Sequence, residues 1–369
     1  MTNPNISALI VQGGGQKGAF SAGVLDQFKR HQFDPFSLYL GTSAGALNIA
    51  AFIAGQTGLA LDFIINYTTN QRFFDFNKFV NKQQPMDLDW AFQFVEQGEF
   101  PLDIQKGKAQ LEKLHLGRKR EALACVTHVE ELKDYYYPIF EDNWFDILRA
   151  TSAIPVLYFD DIEFDGATWV DGGVTSTIPV QEAYKRGAKE LVVITTDPIL
   201  TRHEVAPTPM ENTFSKLSLE VEIGLDLLIQ RYGLVGHVER LNEFEQQFTQ
   251  AIGKVKQRYP SLVGSNDKSW AQEAEKLANL IKVQSEKRNF SGEHTKKMEM
   301  LVSHYLNHES VKEFMREPPV GVTIHEIAPL SPLLSKGLLS GKDEILSDYQ
   351  QGLLAGKEYL ERHHDQSPH

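Results

Sequence analysis

A single cysteine, Cys125, stands in 369 residues. No disulfide can form within the chain, and the setting Ala122-Leu123-Ala124-Cys125-Val126 marks Cys125 as a buried strand residue rather than a reactive thiol. Long apolar runs are missing too. Nowhere do 18 apolar residues follow one another, and the N-terminus has no basic stretch leading into an apolar core and a cleavage site. The expectation is a cytoplasmic protein, peripheral to a membrane at most. Positive charge is scarce, with 37 Lys and Arg against 49 Asp and Glu and a net charge of −12. That balance excludes nucleic acid as a partner and broad electrostatic adhesion to anionic bilayers, so any contact with a membrane surface must be local and apolar. Spaced metal ligands are also lacking. His304 and His308 are four apart on an expected helix, but no third ligand accompanies them, and they read as a solvated face. No metal and no cofactor are expected.

What the chain does have is glycine at three punctuated points. In Leu38-Tyr39-Leu40-Gly41-Thr42-Ser43-Ala44-Gly45-Ala46-Leu47 an apolar strand ends in a serine flanked by Gly41 and Gly45, and a helix-forming segment follows. This is the pattern of a nucleophile elbow, where glycines remove side chains that would clash and the serine hydroxyl sits at the positive end of a helix dipole. The pattern alone is weak, since chance supplies it in about one chain in ten of this length.

The second point is Ser7-Ala8-Leu9-Ile10-Val11-Gln12-Gly13-Gly14-Gly15-Gln16-Lys17-Gly18, a short strand, three glycines and a helix start. Such a turn can aim several backbone N–H groups at one place and cradle an anion. Gly13, Gly15 and Gly18 also fit a dinucleotide-binding pattern. The acidic residue that pattern needs at the end of the next strand is not there, because Asp34 precedes that strand and the strand ends in Gly41-Thr42-Ser43. A phosphate-binding P-loop fails for want of Gly-Lys-Ser/Thr after the glycines. The third point is Trp169-Val170-Asp171-Gly172-Gly173, which delivers one carboxylate at a strand end beside two residues without side chains. Asp171 is a candidate base, or, judged alone, an ordinary turn residue.

Gly-Gly-Gly-Gln-Lys-Gly at 13–18, Gly-Thr-Ser-Ala-Gly at 41–45, Ala-Thr-Ser-Ala-Ile-Pro at 150–155 and Asp-Gly-Gly at 171–173, in that order, closely resemble the patatin-like phospholipase family. The resemblance covers about residues 5–200. It implies a three-layer α/β/α fold and hydrolysis of lipid acyl esters by a Ser–Asp dyad, with Ser43 as nucleophile and Asp171 as base. By the same resemblance the amides of Gly13, Gly14 and Gly15 form the oxyanion hole. Gly41, Gly45, Gly172 and Gly173 support it, and Lys17 braces the loop or meets a substrate phosphate. An ordinary carboxylate is a poor base for a hydroxyl, so burial of Asp171 beside Ser43 is expected. The implied partner is a lipid or acyl-ester substrate. Two rivals stand beside this reading. One is a Ser–Asp–His triad using His203, against which the closeness of Gly15 to Ser43 in the chain argues. The other is a catalytically silent lipid- or protein-binding module, which would have no need of both Ser43 and Asp171.

Strands are expected near 7–11, 37–41, 122–127, 163–170 and 190–196, and helices near 18–30, 44–55, 144–150 and 179–186, an alternation that builds a mainly parallel sheet covered on both faces. After Asp197-Pro198 the period becomes helical until Glu317-Pro318-Pro319, and Val320–Ile327 again reads as a strand. We therefore expect a catalytic core over 5–207, a helical insertion over 208–318, and a return strand with a C-terminal helix near Leu346–Glu361 completing the core over 319–362. The aromatic segment from Phe73 to Phe79, with Trp90, Phe92, Phe94 and Phe100, is either an acyl-pocket wall or an ordinary buried cluster.

Overall fold

The computed structural model describes residues 6–198 and 310–364, except positions 76, 79, 80, 82, 116 and 156, together with residues 300 and 307. The chain divides into two units, residues 1–199 with 292–369 and residues 200–291, and the description concerns the first. The expected insertion over 208–318 falls outside the described residues except at its C-terminal end, where 310–316 are helical.

In chain order the elements begin with β1 (Ile6–Val11), α1 (Gly18–Arg30), β2 (Leu38–Thr42), α2 (Ala44–Ala54) and α3 (Leu59–Phe63), which runs into a π-helical turn at Ile64–Thr68. Then come α4 (Leu88–Gln97), α5 (Ile104–Leu111), β3 (Glu121–His128), β4 (Lys133–Pro138) and α6 (Trp144–Ala150). The series closes with β5 (Ile162–Phe164), β6 (Ala167–Asp171), α7 (Val180–Lys185), β7 (Ala188–Ile194), β8 (Thr323–Ile327) and α8 (Lys342–His364). One eight-stranded sheet runs β5-β6-β3-β2-β1-β7-β8, with β4 also paired to β3. The pairs β1–β2, β1–β7, β2–β3 and β7–β8 are parallel, and those of β3 with β4 and β6 and of β5 with β6 are antiparallel. Strands and flanking helices give the α/β/α arrangement of the patatin-like kind.

Ala8, Leu9, Ile10 and Val11 are all fully buried, as a central parallel strand covered on both faces requires. On one face Ala8, Ile10, Leu40, Leu123 and Val193 pack with Val180 and Ala183 of α7 and with Val311. On the helical side Ala19 and Ala22 of α1 pack with Ile345 and Tyr349 of α8. The return strand lies where a sheet edge could receive it: β8 runs parallel to β7, pairing Glu190 with Thr323 through Ile194 with Ile327.

Two sequence expectations need correction, and the aromatic segment adds a helix. The strand placed over 163–170 is a hairpin, because Asp165 and Gly166 both adopt positive φ (50° and 75°) and turn the chain between Phe164 and Ala167. An Asp-Gly pair in that conformation is a strong hairpin signal that the apolar run around it masked. The aromatic segment contains α4, whose N-terminus is capped by the Asp87 carboxylate accepting from the Trp90 N–H at 3.0 Å. Finally, the last helix extends beyond the expected 346–361 at both ends.

Candidate active site

The register of β3 explains why two residues 128 positions apart meet. β4 pairs with β3 from Leu123 to His128, so it occupies one edge of that strand throughout. On the other edge β2 pairs up to Thr42 opposite Cys125, and β6 takes over with Asp171 opposite Val126. The C-terminal ends of β2 and β6 therefore abut along one edge of β3. Ser43 follows Thr42, and Asp171 is the last residue of its strand.

At the elbow Ser43 has φ 52° and ψ −128°, a conformation that costs a residue with a side chain on the order of 1–3 kcal/mol. Its N–H donates to Thr151 Oγ1 at 2.9 Å, and the Thr151 hydroxyl donates in turn to the Cys125 carbonyl. The flanking glycines are required by space. A Cβ on Gly45 would lie 2.3 Å from the Val11 carbonyl oxygen, and one on Gly41 would lie 2.6 Å from the Ala46 nitrogen. Ser43→Gly should accordingly be more stable than Ser43→Ala by about 1 kcal/mol in chemical denaturation, the reverse of the usual ranking of these residues. Equal stabilities would show that the elbow is unstrained.

Asp171 is buried at 6% exposure, accepts from the Gly173 N–H at 2.6 Å, and lies near enough to the Ser43 hydroxyl for the two to influence each other's protons. Desolvation pushes its carboxyl up to about 7, with the bonds from Gly173 and Ser43 opposing the rise. Gly172 must be glycine, because a Cβ there would lie 2.2 Å from the Cys125 carbonyl oxygen. Asp171 N–H donates to the Ala153 carbonyl at 2.9 Å, so both Thr151 and Ala153 of the 150–155 segment hold the two key residues in place.

The three glycines of the first turn separate in role. Gly13 departs from the expectation that its amide is free, since that N–H donates to the Thr177 carbonyl at 3.1 Å. Its contribution is close approach: a Cβ on Gly13 would sit 3.0 Å from the Thr42 carbonyl oxygen and 3.3 Å from Ser43 Cβ. Among the described residues the N–H groups of Gly14 and Gly15 have no hydrogen-bond partner. Gly15 has φ 55° and opens the turn into α1. Lys17 pairs with Asp197 at 3.4 Å, and Gln12 donates to the same carboxylate at 3.4 Å.

Ser43 and Gly15 stand on the wall of an apolar cavity of about 790 Å³, counting the space open to solvent. Leu47, Ala51, Ile64, Phe73, Phe92 and Leu102 line its interior. Of the aromatic segment, Phe73 and Phe92 thus reach the cavity, Phe94 instead stacks on Tyr67 with ring centres 4.2 Å apart, and Phe100 is exposed. Phe76 and Phe79 lie outside the described residues, as do His203, His237, His304 and His308. His325 pairs with Glu190 on β7. Among the described residues no group of three or more His, Cys, Asp or Glu is arranged to hold a metal ion, and no helix is long and apolar enough to cross a membrane.

Sequence reasoning missed Thr151, Gln16 and the segment 337–338 that closes one side of the cavity. Thr151 lay in a segment already singled out, so its hydroxyl was available as a clue. Residues 337–338 carry no motif.

Residues 9–184 match the family model described as patatin-like phospholipase, and residues 294–366 match a domain of unknown function, DUF6363. The uncharacterized protein YjjU of Escherichia coli (strain K12) is 42% identical over 195 residues, which cover 53% of this chain and 53% of YjjU. Lysophospholipase NTE1 of Candida albicans (strain SC5314 / ATCC MYA-2876) is 24% identical over 191 residues, 50% of this chain and 13% of NTE1. The chain thus spans about half the length of YjjU and a small part of NTE1. The crystal structure of VipD from Legionella pneumophila covers 98% of this chain and 67% of its own at 12% identity, with a TM-score of 0.37, too distant to carry an argument.

Proposed function

We propose that this chain, which belongs through residues 9–184 to the patatin-like phospholipase family, is a serine hydrolase of lipid acyl esters of the phospholipase A or lysophospholipase kind. The observation that carries the reading is the succession along β3 that sets Ser43 beside a buried, proton-hungry Asp171 at the wall of an apolar cavity. The family resemblance and the lysophospholipase relative support it at the level of reaction class.

In this mechanism the acyl chain lies in the cavity and places its ester carbonyl against Ser43 Oγ. As Oγ attacks, its proton passes to Asp171, whose raised proton affinity makes the transfer favourable without a histidine. The carbonyl oxygen becomes an anion facing the N–H groups of Gly14 and Gly15 at the start of α1, where the helix dipole adds to the stabilisation. Collapse breaks the ester bond, and the departing alcohol takes the proton from Asp171. Water then repeats the sequence on the acyl-serine and releases the fatty acid. Lys17, tied to Asp197, braces the glycine turn. The core over 5–207 with the return segment over 319–362 carries this chemistry on a lipid or acyl-ester substrate, in a cytoplasmic setting peripheral to a membrane at most.

The test is hydrolysis of a panel of acyl esters and phospholipids by purified protein, with Ser43→Ala as the control. Activity that survives in Ser43→Ala, or none in the wild type on any acyl ester, would defeat the reading. The pH profile adds a signed prediction. Since the base acts deprotonated, kcat/KM should rise with pH and level off above about 7. Stability should run the other way. The folded value lies above the unfolded one of about 4, so the stabilising contribution of protonated Asp171 is complete below that value and lost as pH rises through about 7. In urea titrations Asp171→Asn should remove this decline and exceed the wild type at pH 8 by an amount on the order of 2–4 kcal/mol.

A further inference from the structure

One side chain joins the glycine turn to the far end of the chain. Gln16 is buried at 1% exposure, next to the two glycines whose N–H groups the proposed mechanism uses as oxyanion donors. Its backbone N–H donates to the Gly337 carbonyl at 2.9 Å. Its side-chain oxygen accepts from the Ser340 N–H at 2.8 Å, and its side-chain nitrogen donates to the Thr68 carbonyl at 3.1 Å and to Thr68 Oγ1 at 3.2 Å. Gly15 fits so closely beneath this strap that a Cβ on it would lie 2.2 Å from the Gly337 oxygen.

The strap over 334–341 is itself fixed. Asp348, fully buried on α8, accepts from the N–H groups of Leu334 and Ser335 at 3.0 and 2.7 Å and from the Ser335 hydroxyl at 2.5 Å. The Ser340 hydroxyl accepts from the Lys336 N–H at 2.8 Å and closes the bend. Helix α8 then seats directly on α1, the helix that leaves the glycine turn. A Cβ on Gly352 would lie 2.0 Å from the Phe20 carbonyl oxygen, one on Gly23 would lie 2.2 Å from the Tyr349 carbonyl oxygen, and the Tyr349 hydroxyl donates to Asp26 at 2.7 Å. Backbone against backbone leaves little room for sliding. Gly337 and Leu338 also line the cavity.

We infer that Gln16 is a positioning residue and that the strap and α8, within the stretch that matches the domain of unknown function, are the outer half of the catalytic site. The α8–Asp348–strap frame holds the Gly337 carbonyl and Ser340 amide, and through Gln16 these keep the N–H groups of Gly14 and Gly15 aimed at the oxygen of the reacting ester. A loop of three glycines has too much conformational freedom to hold that aim unaided. The kinetic part of this inference rests on the proposed acyl hydrolysis, whereas the mechanical part does not.

The test uses the full chain with two substitutions at opposite ends of the linkage. Gln16→Met keeps the volume and burial and removes both side-chain bonds to the strap and Thr68. Asp348→Asn loosens the strap from a residue that does not line the cavity. Amide hydrogen exchange at Gly13, Gln16 and Lys17, the bonded N–H groups of the 13–17 turn, should quicken by about tenfold or more in both variants. On a short para-nitrophenyl ester kcat should fall by about 10- to 100-fold while KM stays within about threefold, the signature of lost transition-state support. Unchanged exchange at 13–17 in both variants overturns the inference, as does a lower melting temperature with kcat intact. Should Gln16→Met fail to fold, Asp348→Asn carries the same two readouts. If the wild type hydrolyses no ester, the proposed activity falls and the exchange measurement alone decides whether the strap holds the turn.

Discussion

Ser43→Ala and Asp171→Asn should each lower acyl-ester turnover by roughly three to six orders of magnitude, and the double variant should be no worse than Ser43→Ala. The near-equal losses follow from the unit the two residues form. Without its hydroxyl the elbow has no nucleophile. Without a carboxylate the hydroxyl keeps its proton, since Asp171 is the base that the proposed mechanism sets beside Ser43 Oγ. Both variants should fold. Ala is smaller than Ser, and Asn retains an oxygen to accept the Gly173 N–H at the same place. Residual hydrolysis would come from the cavity and the glycine N–H groups acting on bound ester with water as the nucleophile. Near-normal turnover in Asp171→Asn would remove the dyad. A loss in His203→Ala as large as that in Ser43→Ala would replace it with a triad.

The elements that hold this pair were legible because each is a short apolar run ended by a residue with a local conformational purpose. Gly41 and Gly45 flank the elbow at the end of β2, and Gly13 to Gly15 follow β1. The return of β8 to the sheet was legible for a different reason: an isolated apolar strand leaves its backbone polar groups unpaired, so some sheet must accept it. What the chain did not disclose is long-range register. Nothing local to Asp171 says that it lies opposite Val126 while Thr42 lies opposite Cys125, although that one-residue succession along β3 creates the site. Strand β4 escaped notice because Tyr135, Tyr136 and Tyr137 give no alternation, and all three are half-buried. Gln16 escaped because a polar residue in a glycine turn reads as solvated. Its partners, Thr68 and the strap more than 300 residues away in sequence, are set by the fold.

That strap makes Gly15 far more sensitive to substitution than Gly14. Gly15→Ala should cut kcat by about 100-fold or more, with a measurable loss of stability, while Gly14→Ala should be much milder. Two costs coincide at Gly15. Its φ of 55° is left-handed, which charges a residue with a Cβ roughly 1 kcal/mol. Its methyl group would also meet the Gly337 carbonyl oxygen at 2.2 Å, a backbone atom that cannot rotate away. Relief requires the strap to lift, which breaks the Gln16 N–H bond to that carbonyl and, on the proposed mechanism, turns the Gly14 and Gly15 N–H groups off the reacting oxygen. At Gly14 the nearest atom to a new methyl is the Thr196 side-chain oxygen at 3.3 Å, a contact that a few tenths of an ångström of adjustment relieves. Losing one oxyanion donor typically costs about 3–4 kcal/mol of transition-state stabilisation, so the deficit should appear in kcat and leave KM for a short ester nearly unchanged. Steady-state kinetics on that ester, with thermal melting to follow the fold, gives both numbers. Gly15→Ala with turnover within about threefold of wild type would place the oxyanion donors elsewhere than on this turn.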